Sequence, residues 1–169
     1  MAFPYYEKAI ELSPEEPVYY QNLATTVYLF RRDAEKYYGF TEQQVFDRAL
    51  ELYRKALELS GGDFAVANDL AQTYYGITPF RYEEALSTWQ EVLKLAKTEV
   101  EQQNVFIHLA RVEIKGGRPA VARNYLAQVT LPQYGVLRDR LSRLIDKTSG
   151  DSVPGVDGTE SVPEAEKLE

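Results

Sequence analysis

Two short patterns that alternate along the chain constrain its fold more than any other feature. In the first, an alanine is followed four residues later by an aromatic residue or leucine, and three residues after that by alanine or valine; it begins at Ala2, Ala49, Ala85 and Ala122. In the second, Leu-Ala follows three residues after the start; it begins at Tyr20, Ala67 and Phe106. Such spacings predict amphipathic helices. Since no single helix pair can bury both of its faces, successive pairs must stack.

These patterns resemble the tetratricopeptide repeat (TPR), a helix-turn-helix unit of about 34 residues. Three segments are typical of it: Tyr6–Pro14, Tyr53–Ser60 and Arg81–Leu86. The resemblance covers residues 1–130 and implies an all-α fold, a right-handed superhelix of antiparallel helix pairs. A last helix that lacks the alanine pattern is expected to cap the array at its C-terminal end.

The resemblance divides the chain into an array at 1–147 and an acidic tail at 148–169. The array is expected to hold a half repeat at 1–14, a long repeat at 17–61, repeats at 63–97 and 102–130, and a capping helix at 133–147. Because the first match begins inside the second helix of a repeat, we expect the chain to be a fragment of a larger protein.

The tail is rich in Gly, Pro, Ser and acids and is expected to be disordered. Its removal should then leave the melting temperature unchanged. The alternative is that its acids dock on the outward face of the capping helix, at Arg138, Arg140 and Arg143.

The long repeat carries extra residues between Ala24 and Ala49, and we interpret them as extensions of both helices. The apolar stripe continues through Phe30, Ala34 and Tyr37, which should face Val45 and Ala49. Gly39 should end the first helix near Tyr38, and Thr41–Gln44 has the residues of a capping box that starts the second near Glu42. Tyr38 and Phe40 would lie at an uncovered tip, a possible contact site. In the next repeat, Thr78-Pro79 is expected to cap and begin the second helix.

Composition and charge exclude several kinds of site. The chain has no cysteine and one histidine, His108, which excludes disulfides and sites with several Cys or His ligands. We expect no cofactor, no metal and no catalytic activity, and His108 is expected at the surface or in a groove.

The net charge is −7, but residues 1–147 carry only −2, since six acids and one lysine lie in the tail. Nucleic-acid binding is therefore not expected. No apolar run approaches the ~20 residues of a membrane span, so membrane insertion is not expected either.

The TPR resemblance also implies a binding groove, lined by the first helix of each repeat. Its inward positions are Gln21, Thr25, Tyr28, Asn68, Gln72, Tyr75, Ile107, Arg111 and Ile114. Tyr28 and Tyr75 are expected to point away from the core between helices. Some TPR proteins clamp acidic chaperone tails with Lys, Asn and Arg, and here the matching positions hold Gln21, Thr25, Asp69, Asn104 and His108. That clamp is not expected in this chain.

The resemblance implies a protein–protein interaction scaffold that binds a peptide or partner domain in the concave groove. The alternative is an architectural or self-association segment of a larger protein, which could be membrane-anchored or enzymatic. A cytoplasmic location is favoured, with a membrane-associated parent as the alternative. The sequence leaves the partner and the oligomeric state open.

Overall fold

A computed structural model describes residues 2–150 of the chain, with side chains described through Lys147. This part is all-α: nine α-helices are joined by short turns, with no strand among the described residues. The helices are α1 Phe3–Leu12, α2 Pro17–Leu29, α3 Arg31–Tyr38, α4 Glu42–Leu59, α5 Phe64–Thr73, α6 Tyr82–Leu95, α7 Glu99–Lys115, α8 Pro119–Leu126 and α9 Gly135–Gly150. Helix α9 runs past the expected boundary at Lys147, so residues 148–150 are helical. The rest of the expected tail lies outside the described residues.

The helices pack mainly against their neighbours along the chain. Helix α2 packs on α4, α5 on α6 and α7 on α8, while α4–α5 and α6–α7 contacts join one pair to the next. Helix α1 packs on α2, and α9 closes the other end against α7 and α8. The first helices of the three pairs are therefore α2, α5 and α7.

Most alanines of the two sequence patterns lie in the core between helices. Seven of them are fully buried: Ala24, Ala49, Ala56, Ala71, Ala85, Ala110 and Ala122. A second, smaller core lies under the last helix, where Leu141 and Ile145 of α9 pack with Ile107 of α7 and Leu126 of α8. The capping helix thus covers apolar surface that the last pair would otherwise expose to water.

The first helix of the long pair is broken at Phe30, which was not expected. Phe30 has φ −104° and ψ 39°, and α3 begins at the next residue. One turn earlier, the hydroxyls of Thr25 and Thr26 donate to the carbonyls of Gln21 and Asn22. Such bonds bend helices. The expected stripe is therefore wrong in part, because Ala34 is fully buried but Phe30 is 57% exposed and Tyr37 is 41% exposed.

The turn between α3 and α4 has the expected local chemistry. Gly39 ends α3 in the left-handed region at φ 68°, and Thr41 and Gln44 form both bonds of the capping box. The tip, however, is not uncovered. Phe3 of α1 packs on the rings of Tyr37 and Tyr38, and Phe40 stacks on Tyr38 with ring centroids 5.3 Å apart. The first helix of the chain therefore covers one side of the tip.

The expected helix start at Thr78-Pro79 is also wrong. These residues form a cis peptide in the connection between α5 and α6, and α6 begins later, at Tyr82. The connection is held by Arg81, which donates to Asp47 at 2.6 Å and to Gln43 at 2.8 Å, both on α4. Arg81 has φ −87° and ψ 76°, outside the helical region, so its bonds to the preceding pair are made by the residue just before α6.

Within residues 2–150, no helix is both long and apolar enough to span a bilayer.

Candidate functional site

The first helices of successive pairs, together with the turn that follows α5, form one continuous surface of contacting side chains. Between α2 and α5, the Gln21 amide donates to the Asp69 carboxylate at 3.0 Å. The Thr25 hydroxyl lies 2.7 Å from the hydroxyl of Tyr53 on α4. Three of these residues, Asp69, Thr25 and Tyr53, line a polar groove of about 260 Å³ together with Tyr28, Leu29, Gln72 and Thr73. Gln72 is exposed in this groove.

Stacked side chains at the centre of the surface join α6 and α7 to Tyr75, which lies in the 3₁₀ turn directly after α5. The imidazole of His108 lies flat on the indole of Trp89, with ring centroids 4.1 Å apart and planes 4° apart. The Tyr75 hydroxyl lies 3.1 Å from His108 Nδ1, and the guanidinium of Arg111 lies over the Tyr75 ring, 4.6 Å from its centroid. We call these four residues the central stack.

In the central stack, burial favours the neutral forms of the His108 and Tyr75 side chains. It lowers the pKa of His108 to about 4, and the charge of Arg111 acts in the same direction. Burial also raises the pKa of Tyr75, against the opposing effect of Arg111. His108 is therefore neutral at pH 7. The ring of His108 packs against Trp89 and Tyr75. Among the described residues no three His, Cys, Asp or Glu side chains come together as metal ligands.

The structure corrects three of the expected groove positions. Tyr28 and Tyr75 do not point away from the core, because both are half-buried against it. The Tyr28 hydroxyl lies so close to Gly76 that a Cβ there would collide with it. Ile107 is 1% exposed and belongs to the core under α9. It is therefore not a groove residue.

The remaining predicted positions lie along the surface. Gln21, Thr25, Asn68, Arg111 and Ile114 are half-buried. The Asn68 side-chain oxygen is buried without a hydrogen-bond partner among the described residues. At the tip, Tyr38 and Phe40 border a separate groove of about 360 Å³ beside α4.

A second groove, which we call the basic groove, lies between α7 and α9. It measures about 620 Å³ and is lined by Arg111, Ile114, Lys115, Leu137, Arg140, Leu141, Arg143, Leu144 and Lys147. Five of these residues are cationic and none is acidic. None of the five forms an ion pair with a residue of the part described, 2–150. Arg111 and Lys115 contact the rings of Tyr75 and Phe80 instead, which leaves their charges uncompensated.

Sequence reasoning missed the basic groove, although the signal was present. Arg140, Arg143 and Lys147 recur at helical spacing on α9, and Arg111 and Lys115 are four residues apart on α7. That α7 and α9 turn these faces towards one another follows from tertiary packing. Arg138, which the sequence grouped with Arg140 and Arg143, points elsewhere: it donates to the carbonyl of Val129 and pairs with Asp139.

Comparison with known proteins supports the fold. No protein-family model matches the sequence, and no curated protein matches it significantly. Among solved structures the chain is similar to YrrB, described as a TPR protein with an unusual peptide-binding site, with 24% identity and a TM-score of 0.57. The match covers 86% of this chain and 66% of the YrrB chain. The chain is therefore an all-α helical repeat protein with the TPR fold.

Proposed function

We propose that the chain is a non-catalytic interaction scaffold that binds a peptide or an extended segment of a partner protein on the surface of α2, α5 and α7. The observation that carries the proposal is the continuity of this surface. Gln21 of α2 bonds Asp69 of α5, and Tyr75 in the turn directly after α5 contacts His108 and Arg111 of α7. A ligand several residues long could therefore lie across all three helices.

The polar groove between α2 and α5 offers the chemistry that an extended peptide needs. Gln72 presents an amide that can both donate to and accept from a peptide backbone. The Asp69 carboxylate and the Tyr53 hydroxyl lie beside it in the same groove. YrrB shares the fold and has a peptide-binding site of its own. This likeness adds support, while the residues that would bind in this chain are argued from its own geometry.

The proposal can be tested by selecting ligands from a phage-displayed library of random linear peptides on the immobilised chain. Gln72→Arg places a long charged side chain in the polar groove. The matched control is Gln90→Arg, because Gln90 is an exposed glutamine on α6, a second helix outside the groove. We expect the selected peptides to lose at least tenfold in affinity for the Gln72 variant, about 1.4 kcal/mol, and to bind the control unchanged.

Two results would contradict the proposal. One is a set of selected peptides that binds both variants equally well. The other is a selection that yields no peptide above background while the chain is folded by circular dichroism. The second result would favour the alternative function, an architectural or self-association segment of a larger protein.

A further inference from the structure

We propose that the basic groove between α7 and α9 is a docking site for the acidic segment that follows it in this chain, residues 151–169. The inference goes beyond peptide binding at Gln72 and does not depend on it. It rests on three features: the uncompensated charge of the groove, its apolar floor, and the composition and position of the segment.

The charge of the groove is exceptional in this chain. Residues 1–147 carry a net charge of −2, yet five cations and no acid line this one groove. Arg140, Arg143 and Lys147 are exposed on α9. The nearby carboxylates do not compensate them, because Asp146 pairs with Arg123 and Asp139 with Arg138. A cluster of like charges at this density is destabilising unless an anion approaches.

The floor of the groove is apolar, which favours an anion that also carries apolar side chains. Ile114 is half-buried there, and Leu137 and Leu141 lie between the cations, with Leu137 36% exposed. A phosphate backbone has no apolar groups to place on such a floor, and no described aromatic ring lines the groove for stacking bases. A peptide that alternates acidic and aliphatic side chains fits both the walls and the floor.

The segment 151–169 has this composition. It contains six acids and one lysine. Between the acids lie four aliphatic side chains of suitable size, Val153, Val156, Val162 and Leu168. No aromatic residue occurs in it. Charge and apolar character are thus complementary between groove and segment.

The position of the segment makes docking within one molecule geometrically easy. The groove extends along α9 from Leu137 to Lys147, about 15 Å at 1.5 Å per residue. The segment starts directly after Gly150, the last residue that the structure describes at this end of the chain. An extended chain covers about 3.3 Å per residue, so roughly five residues suffice to run back along the groove. A short tether also gives an effective concentration in the mM range, at which weak contacts are occupied.

Docking would make the segment a tethered competitor for any acidic ligand of the basic groove. A ligand would have to displace it, so access to the α9 end of the surface would depend on ionic strength and on any change in the charge of the segment.

The test uses the full chain and takes advantage of its lack of cysteine. Ser161→Cys gives a single site for a nitroxide label inside the segment. We expect paramagnetic broadening of the backbone amides that line the groove, such as those of Ile114 and Leu141, relative to the reduced label. The broadening should be lost in 1 M salt, where the screening length is about 3 Å.

Charge reversal supplies the matched pair of variants. Arg140→Glu with Arg143→Glu should abolish the broadening. Arg32→Glu with Lys36→Glu, which reverses two exposed cations on α3 at the other end of the array, should leave it intact. Because the salt titration is done on the labelled chain without these substitutions, the result does not depend on the folding of either variant.

Three outcomes would overturn the proposal. The first is an absence of broadening at the groove. The second is broadening that survives both high salt and reversal of Arg140 and Arg143. The third is broadening that appears only in mixtures of labelled and isotope-enriched molecules, which would place the segment of a second copy in the groove instead.

Discussion

Replacing Gln103 by methionine should release the link between α8 and α9 from α7. Gln103 is 4% exposed, and its side-chain oxygen accepts hydrogen bonds from the backbone N–H groups of Thr130 and Leu131, both at 2.8 Å. Its amide nitrogen donates to the hydroxyl of Thr130 and to Glu99. Methionine has nearly the same length but no comparable acceptor, so both backbone groups would lose their partner.

The size of the effect follows from how well water can replace that partner. A buried N–H left without an acceptor costs about 1–3 kcal/mol. Thr130 is exposed and Leu131 half-buried, so water can reach part of this link. The lower end of the range therefore applies to each group, and we expect the free energy of unfolding to fall by about 2 kcal/mol in total. That is a large share of the roughly 5–15 kcal/mol that stabilises a typical domain.

Urea denaturation followed by circular dichroism measures this loss. The matched control is Gln102→Met, because Gln102 is the exposed neighbour on the same helix and should stay within about 0.5 kcal/mol of the original chain. Amide exchange adds a local measurement, since Thr130 and Leu131 should lose protection in the Gln103 variant only. Equal stability of both variants, with both amides still protected, would refute the reasoning.

Two further predictions concern ionisation and backbone conformation. Burial lowers the pKa of His108 in the folded chain to about 4, below the unfolded value of about 6.5, so its contribution to stability is complete above pH 6.5 and is lost as the pH falls towards 4. The ring resonances of His108, the only histidine in the sequence, should therefore titrate below pH 5. A midpoint near 6.5 would contradict the buried stack. Gly39→Ala should lower the free energy of unfolding by about 1–2 kcal/mol, because Gly39 has a left-handed φ of 68°. Gly135→Ala should be neutral or stabilising by up to about 1 kcal/mol, because Gly135 has φ −55° and open space for a Cβ. Equal urea midpoints for the two variants would contradict this prediction.

The sequence predicts the repeat architecture well because that architecture depends on local spacing. Small residues at steps of three and four specify which helix faces meet, and Ala24, Ala71 and Ala110 are indeed fully buried. Caps are equally local: the Thr41–Gln44 box is present because both partners lie within one turn. A second box at Thr98 and Glu101 has the same origin.

The features that the sequence did not predict depend instead on contacts between distant segments. The break at Phe30 exposes a residue that the periodicity places in the core. The residue just before α6, Arg81, bonds to α4, which is distant in the sequence. The basic groove depends on how α9 is oriented on α7. None of these can be obtained from the period of one helix alone.

The hydrogen bonds already made within the protein determine where a ligand can gain affinity. Several polar groups of the surface already have partners within the protein: Gln21 bonds Asp69, Thr25 bonds Tyr53, and Tyr75 bonds His108. A ligand that used these groups would have to replace a bond already made, so its net gain would be small. Such residues hold the repeats in place.

Polar and charged groups that have no such bonds can contribute more to the affinity of a ligand. Gln72 is exposed and its side chain makes no hydrogen bond in the described structure, and the five cations of the basic groove form no ion pair there. A ligand meeting them forms new interactions without breaking old ones. Substituting Tyr75 should therefore weaken the fold more than it weakens binding, whereas substituting Gln72 should weaken binding and leave the fold intact. A variant series measured both by urea denaturation and by affinity for the selected peptides separates the two effects, and the reasoning is wrong if Gln72 and Tyr75 behave alike in both assays.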